Sequence, residues 1–267
     1  MKKITVIVLA GKRQDMIEGC LKTLLWADEK ILVSLEADNK TMKIAQKYGF
    51  KIVKGIREYN FSKWRNQGAL ASAGDWLIYV DSDERVTPDL KKEILGKINQ
   101  DKEKVNGYFI PRKNYFLAKE FKSEWPDYQL RLIKKKALVT WRGNIHETPE
   151  IKGETKKLKN YLVHLSHRSI KASLLNTIKW SKLEAENRFK TAHPRMTSWR
   201  FIRIFLTGVW QFIKKRSWKE GVEGVIDGIY QLFSLFFTYV RLWEMQRGES
   251  LKKSYQKIDQ KIQELWE

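Results

Sequence analysis

Along the first hundred residues, apolar runs alternate with segments whose apolar positions recur at helical spacing. The run 4–10 (Ile-Thr-Val-Ile-Val-Leu-Ala) is continuous and β-branched, as a strand covered on both faces requires. Residues 31–35, 51–56 and 75–80 read as further strands, and 16–26, 41–48, 61–73 and 88–98 as helices, the last opened by Pro88. This alternation predicts parallel βαβ units, in which ligands bind at the carboxyl ends of strands. From residue 106 the character changes: 107–116, 128–134, 137–141 and 158–165 read as strands of an antiparallel extension of the same sheet. From 169 onward the chain reads as helical, over 169–190, 198–216, 218–246 and 251–266, with a break at His193-Pro194. The pattern predicts an α/β domain over 1–167, in halves 1–105 and 106–167, and a helical extension over 168–267.

Composition narrows the picture. With 42% hydrophobic residues and 11 Trp among 267, the chain has enough apolar surface to offset its conformational entropy, which excludes general disorder. The single cysteine, Cys20, excludes a disulfide scaffold and a Cys-rich zinc site. Lys and Arg number 52 against 31 Asp and Glu, a formal charge of +21, which implies a polyanionic partner without choosing among nucleic acid, anionic membrane and phosphate-bearing substrates. Met1-Lys2-Lys3 before an apolar run mimics a signal peptide, but the run is short and Lys12 and Arg13 follow it with no small-x-small site, so a buried strand is expected. No stretch reaches the ~18 apolar residues of a membrane span.

The sharpest chemical feature is Asp81-Ser82-Asp83-Glu84, directly after the hydrophobic strand 75–80. Carboxylates packed this closely repel one another unless a cation or donor network holds them. Hard divalent cations take one or two carboxylates together with substrate phosphates, so Asp-x-Asp at a strand's carboxyl end suits a metal-bridged diphosphate. The plainer reading of the same residues is a polar turn leading into the Pro88 helix.

With these residues in place the chain resembles family 2 glycosyltransferases of the inverting GT-A type, and within them the lipopolysaccharide core β-glucosyltransferases. The stretches that carry the likeness are Cys20-Leu21 through Trp26-Ala27-Asp28-Glu29, Arg65-Asn66, Gly74-Asp75-Trp76, Asp81-Ser82-Asp83-Glu84-Arg85-Val86, Pro111-Arg112-Lys113-Asn114-Tyr115-Phe116, Pro126-Asp127-Tyr128-Gln129-Leu130-Arg131-Leu132, His146-Glu147 and His164. Each is weak alone; their order and spacing over most of the chain are specific. The resemblance implies a GT-A (Rossmann-like) mixed sheet flanked by helices, with 1–105 as the nucleotide-sugar half and 106–167 as the acceptor half. It implies a nucleoside-diphosphate sugar as donor, with uridine the expected base, and Mg²⁺ or Mn²⁺ as cofactor. Asp83 would hold the metal on the diphosphate, Asp81 would contact ribose or metal-bound water, and His164 would be a further metal ligand or phosphate contact. Inversion needs a base for the acceptor hydroxyl; Glu147 is the candidate, supported by His146, with Asp127 next. Arg131, on a strand expected to be buried, needs an anionic partner, which a phosphate or a carboxylate in the site would supply; Arg65 would reach the same diphosphate.

Two segments depart from the family pattern. Residues 11–14 (Gly-Lys-Arg-Gln) lack the acid usual after the first strand, and Ser34 stands where an aspartate that contacts base or ribose is usual. Glu36 or Asp38 is the candidate replacement. A catalytically degenerate relative is the alternative these departures leave open.

The helical extension carries a second signal. Residues 188–219 hold nine Lys or Arg and no Asp or Glu. Trp199, Ile202, Leu206, Val209 and Ile213 share one face of a helix that ends in Lys214-Lys215-Arg216, with Trp218 following. A basic amphipathic helix of this kind suits an anionic membrane surface, with Trp199, Trp210 and Trp218 in the interface and Arg200, Arg203, Lys214, Lys215 and Arg216 at headgroups. The expectation is a cytoplasmic enzyme, peripheral on the inner face of the plasma membrane, that glycosylates a glycan or lipid-linked acceptor in cell-envelope polysaccharide or lipopolysaccharide synthesis. A nucleic-acid partner is not expected: there is no recognition-helix or RNP-like pattern, and it would leave the carboxylate cluster unexplained.

Overall fold

Strand β1 (Ile4–Ala10) is buried along its whole length, because it lies between two parallel neighbours, β2 (Glu29–Ser34) and β4 (Trp76–Asp81). β3 (Lys51–Lys54) extends the sheet beyond β2. Helices α1 (Ile17–Lys22), α2 (Asn39–Lys47) and α3 (Phe61–Ala71) connect these strands. Side chains of β1 alternate between two cores, as the strand's period of two demands. Ile4, Val6, Val8 and Ala10 pack with Cys20 and Leu21 of α1, Ala45 of α2 and Leu90 and Ile94 of α4 (Pro88–Asn99). Ile7 and Leu9 pack with Trp64 of α3 and Tyr79. α3 lies so close to β1 that a Cβ at Gly68 would stand 2.5 Å from Ile7 Cγ2. Caps fix where the helices begin: Asn60 accepts from the Lys63 N–H, and Thr87, before Pro88, accepts from the Leu90 N–H. The chain passes from β3 across β1 to β4, so strand order reverses there, and the carboxyl ends of β1 and β4 open at a topological switch point.

The computed structural model describes residues 2–11, 15–34, 38–56, 60–100, 104–143 and 147–266. They fall into two compact units, Met1–Ser166 and His167–Glu267. The rest of the first unit comprises β5 (Glu84–Val86), β6 (Val105–Phe116), β7 (Lys119–Glu120), β8 (Asp127–Lys134), β9 (Leu138–Arg142), β10 (Thr148–Ile151), β11 (Glu154–Lys157) and β12 (Leu162–Ser166). The main sheet runs β3-β2-β1-β4-β8-β6-β12-β5, with β7 and β11 also on β6. β8 is antiparallel to β4 and β6, whereas β12 is parallel to β6.

Three expectations are corrected. β9, expected in the main sheet, forms a separate hairpin with β10. Asn66 of α3 holds it there, accepting from the Trp141 N–H at 2.8 Å and donating to the Trp141 carbonyl at 3.1 Å. The strand expected over 158–165 begins only at Leu162, because the Lys159 and Asn160 amides donate to Glu93 instead of a ladder. The long helix expected over 218–246 is two elements, a short 3₁₀ turn (Ser217–Glu220) and α7 (Val222–Gln246), parted by Gly221 at φ 75°.

The second unit contains α5 (Ile170–Lys190), α6 (Ser198–Lys215), α7 and α8 (Leu251–Gln263). α5 buries small residues at every fourth position, Ser173, Thr177, Ser181 and Ala185, so α5 and α7 approach closely, and Thr177 donates to the Tyr230 hydroxyl of α7 at 2.8 Å. Ala185, Met196 and Leu242 form its small buried core. Among the described residues no helix is long and apolar enough to cross a membrane.

Candidate active site

Burial along β4 ends at Asp81, at the carboxyl edge of the sheet, and the chain turns there. The Asp81 N–H donates to Glu84 Oε2 at 2.9 Å, and the Leu165 N–H of β12 donates to the Asp83 carbonyl at 3.0 Å. Glu84 starts β5, pairs opposite His164 and is fully buried.

A buried carboxylate needs compensating charge, and three arginines supply it. Arg65 of α3 donates from Nη2 to Asp81 Oδ1 at 2.9 Å, and from Nε and Nη2 to Glu147 Oε1 at 2.9 and 2.7 Å. Arg131 of β8 takes the other Asp81 oxygen at 2.5 Å and lies 3.5 Å from Glu84 Oε1. Arg112 of β6 donates to Glu84 Oε1 at 3.2 Å and, through Nε and Nη2, to Asp127 Oδ2 at 2.9 and 2.6 Å. Arg65 is sandwiched further by Trp141, whose ring centroid lies 4.8 Å from its guanidinium carbon. Asp127 also accepts from Asn114 at 3.1 Å and from Gln129 at 2.7 Å. Asn114 Oδ1 stands 2.8 Å from His164 Nδ1, and His164 Nε2 lies 3.7 Å from Asp83 Oδ2. The network therefore runs unbroken from Glu147 to Asp127, and by Asn114 and His164 to Asp83.

The electrostatics follow from this geometry. Burial pushes the Asp81 carboxyl up, but Arg131 and then Arg65 more than offset it and hold it well below the usual carboxylate range. Burial likewise raises Asp127, and Arg112 with Asn114 and Gln129 outweighs it, leaving the group depressed. Burial lowers His164, yet the adjoining Asp83 carboxylate carries it above the ordinary histidine value.

Of the residues singled out in the sequence, Asp81, Arg65, Arg131, Glu147, Asp127, His164 and Asp83 lie in one network. Asp81, Arg65 and Arg131 bind one another; the ligand contacts expected of them would add to these pairs. Asp38 Oδ1 accepts from the Thr41 N–H at 2.7 Å as the N-cap of α2. Glu36 and His146 lie outside the described residues. Sequence reasoning missed Arg112 and Asn114 as site residues, and named Glu84 in the carboxylate cluster without giving it a role of its own. Arg112 and Asn114 stand at i and i+2 in a largely buried strand, and two polar residues at that period mark one face of the strand.

The residues fit a divalent cation only in a shared mode. Among the described residues no three His, Cys, Asp or Glu side chains converge into a metal cluster. Both Asp81 oxygens are taken by arginines and both Glu84 oxygens by Arg112 and the Asp81 N–H. Asp83 is different: its side chain is 40% exposed, beside His164. Three guanidiniums face the five carboxylates of Asp81, Asp83, Glu84, Asp127 and Glu147, so this group of side chains is net negative. Mg²⁺ is commonly held by one or two carboxylates completed by waters and substrate phosphates, and Asp83 supplies one such carboxylate.

A protein-family model described as glycosyl transferase family 2 matches residues 5–153. A Rickettsia bellii protein described as an uncharacterized glycosyltransferase is 22% identical over 95% of this chain and 93% of its own length. A TPR repeat-containing protein of Synechococcus elongatus is 25% identical over 38% of this chain, a match that spans 25% of that protein. Among solved structures, S. aureus TarS 1-349 in complex with UDP-GlcNAc is similar with a TM-score of 0.48 at 15% identity, covering 62% of this chain and 59% of that one. With the family model spanning more than half of its length, the chain belongs to glycosyl transferase family 2 and is a glycosyltransferase.

Proposed function

We propose that the chain is an inverting, metal-dependent transferase that moves a sugar from a nucleoside-diphosphate sugar, with uridine the base its sequence resemblance implies, to a glycan acceptor of the cell envelope. The observation that carries the reading is the division of labour at the end of β4: Asp81 is locked between Arg65 and Arg131, while Asp83 faces outward beside His164. A diphosphate is an anion, and this carboxylate-rich edge would repel it. Mg²⁺ or Mn²⁺ held by Asp83, with His164 beside it, would join the two and neutralise charge on the leaving diphosphate. Glu147 is the base for the acceptor hydroxyl. Arg65 holds its Oε1, which fixes the carboxylate's position, and Oε2 makes no hydrogen bond among the described residues. Asp127 is the weaker candidate, since Arg112, Asn114 and Gln129 already donate to both of its oxygens. The envelope acceptor rests on the ordered motifs shared with lipopolysaccharide core β-glucosyltransferases.

The test is release of nucleoside diphosphate from a panel of nucleotide sugars, with Mn²⁺ and with a chelator. Metal-dependent release from at least one uridine-diphosphate sugar is expected. Equal release in the chelator would remove the metal from the reading, and no release from any sugar would favour the degenerate alternative.

A further inference from the structure

Helix α6 is apolar on two sides, and packing within its own unit uses only one of them. Phe201 and Ile204 join the small core of that unit, and Gly208 and Phe212, further along the same side, meet α7 at Leu232 and Gly228. The other side presents Trp199, Ile202, Leu206, Trp210 and Ile213, all exposed, with Trp199 at 65% and Trp210 at 57%. An ordinary surface helix puts polar residues there, and a run of large apolar side chains left exposed marks an interaction surface. At 100° per residue, Arg203, Lys214 and Arg200 border this stripe on its outer flank. Lys214 Nζ sits 4.8 Å from the Trp210 ring centroid, which puts a cation at the stripe's edge. Helix α8 carries a second apolar stripe: Leu251, Tyr255, Ile258 and Ile262 are exposed along it with no buried residue in the helix, with Lys261 on one flank and Asp259 and Lys252 on the other.

We infer that these two stripes are a docking surface for an anionic lipid bilayer, entered to the headgroup level and not crossed. Charge decides among possible occupants. The stretch 188–219 has nine basic residues and no acidic one, so a second copy of this surface would bring like charges together, whereas phosphate headgroups neutralise them. Tryptophan at the rim of an apolar stripe, with basic side chains reaching past it, is the composition of helices that lie in the membrane interface. The inference does not depend on sugar transfer, and its test does not read activity.

The experiment is sedimentation of the full chain with vesicles of phosphatidylcholine alone and of phosphatidylcholine with phosphatidylglycerol, at low and high salt. Binding to the anionic vesicles is expected, reduced but not abolished by salt, with much weaker binding to the neutral ones. R203Q with K214Q should lower anionic-vesicle partitioning by about thirtyfold, at roughly 1 kcal/mol per basic residue. W199S with W210S should remove the salt-resistant part; both pairs are exposed, so unchanged circular dichroism is the control for folding. Wild-type protein left in the supernatant with anionic vesicles at low salt would overturn the inference. So would equal binding to both vesicle types, or a stable dimer in light scattering that W199S with W210S dissolves, which would make a second copy the occupant.

Discussion

Arg65 and Glu147 are joined twice: Nε and Nη2 of one guanidinium both donate to Oε1 of one carboxylate, at 2.9 and 2.7 Å. Arg65 is 2% exposed, so this pair lies among Trp141, Tyr79 and Asp81 and not in water. It ties the segment after β9 to the helix that precedes the Asp81 turn.

Arg65→Met should therefore cost about 3–5 kcal/mol in urea unfolding, because it leaves buried carboxylates without their partner. Arg65→Lys should recover only part of this, since an ammonium cannot reproduce the two-pronged contact. A loss under about 1 kcal/mol for Arg65→Met, the range of exposed pairs, would contradict the buried geometry.

Glu147→Gln should keep its shape and its donor affinity but lose turnover. A positioned general base is worth about 10²–10⁴-fold, and the loss should appear in kcat, with KM for the donor little changed. Near-normal kcat would shift the base to another group, with Asp127 first to be examined.

Acid should loosen the first unit through Asp81 and Asp127. Both carboxyls are depressed in the folded protein, Asp81 by Arg131 and Arg65 against its burial and Asp127 by Arg112 against its burial. A depressed native pKa means that the stabilisation is present above the unfolded value of about 4 and is lost as pH falls through the native values. Urea unfolding from neutral pH to about pH 3 should show stability declining with acid, less steeply in Asp127→Asn. His164, raised in the folded protein, acts in the opposite sense, so the comparison decides: a wild-type slope no steeper than that of Asp127→Asn would show that the Asp127 pair contributes nothing to folding.

Gly68→Ala probes the packing that sets this site. The new Cβ would lie 2.5 Å from Ile7 Cγ2, so α3 must shift, carrying Arg65 and Asn66 with it. A cost of about 1–3 kcal/mol is expected, as for overpacking generally, together with reduced turnover. A variant as stable and active as the wild type would mean that α3 has slack the structure does not show.

How much of this was legible in the sequence follows from what each residue answers to. β1 and β4 were readable because their burial is complete and their composition reports it. The placement of Asp81 at a strand's end was readable for the same reason. β5 was not, because Glu84-Arg85-Val86 looks like a polar turn; Arg85 is accommodated by donating to the Ser82, Glu84 and Met16 carbonyls. The hairpin position of β9 depends on one side chain, Asn66, from a distant helix, and no local pattern encodes that. The arginine partners were half legible: a buried Arg131 had to meet a phosphate or a carboxylate, and the fold supplied the Asp81 carboxylate, a pairing between two strands that no local pattern names.

Calorimetric titration of uridine diphosphate, with and without Mn²⁺, into the wild type and Asp83→Ala tests the central claim most directly. The wild type should bind with Mn²⁺ and lose that binding in a chelator; Asp83→Ala should be no tighter with the metal than without it, while Asp38→Ala, which alters a helix cap, keeps the metal effect. Binding by Asp83→Ala in Mn²⁺ as tight as by the wild type would contradict the account, since no other described carboxylate of the cluster is both outward-facing and beside His164.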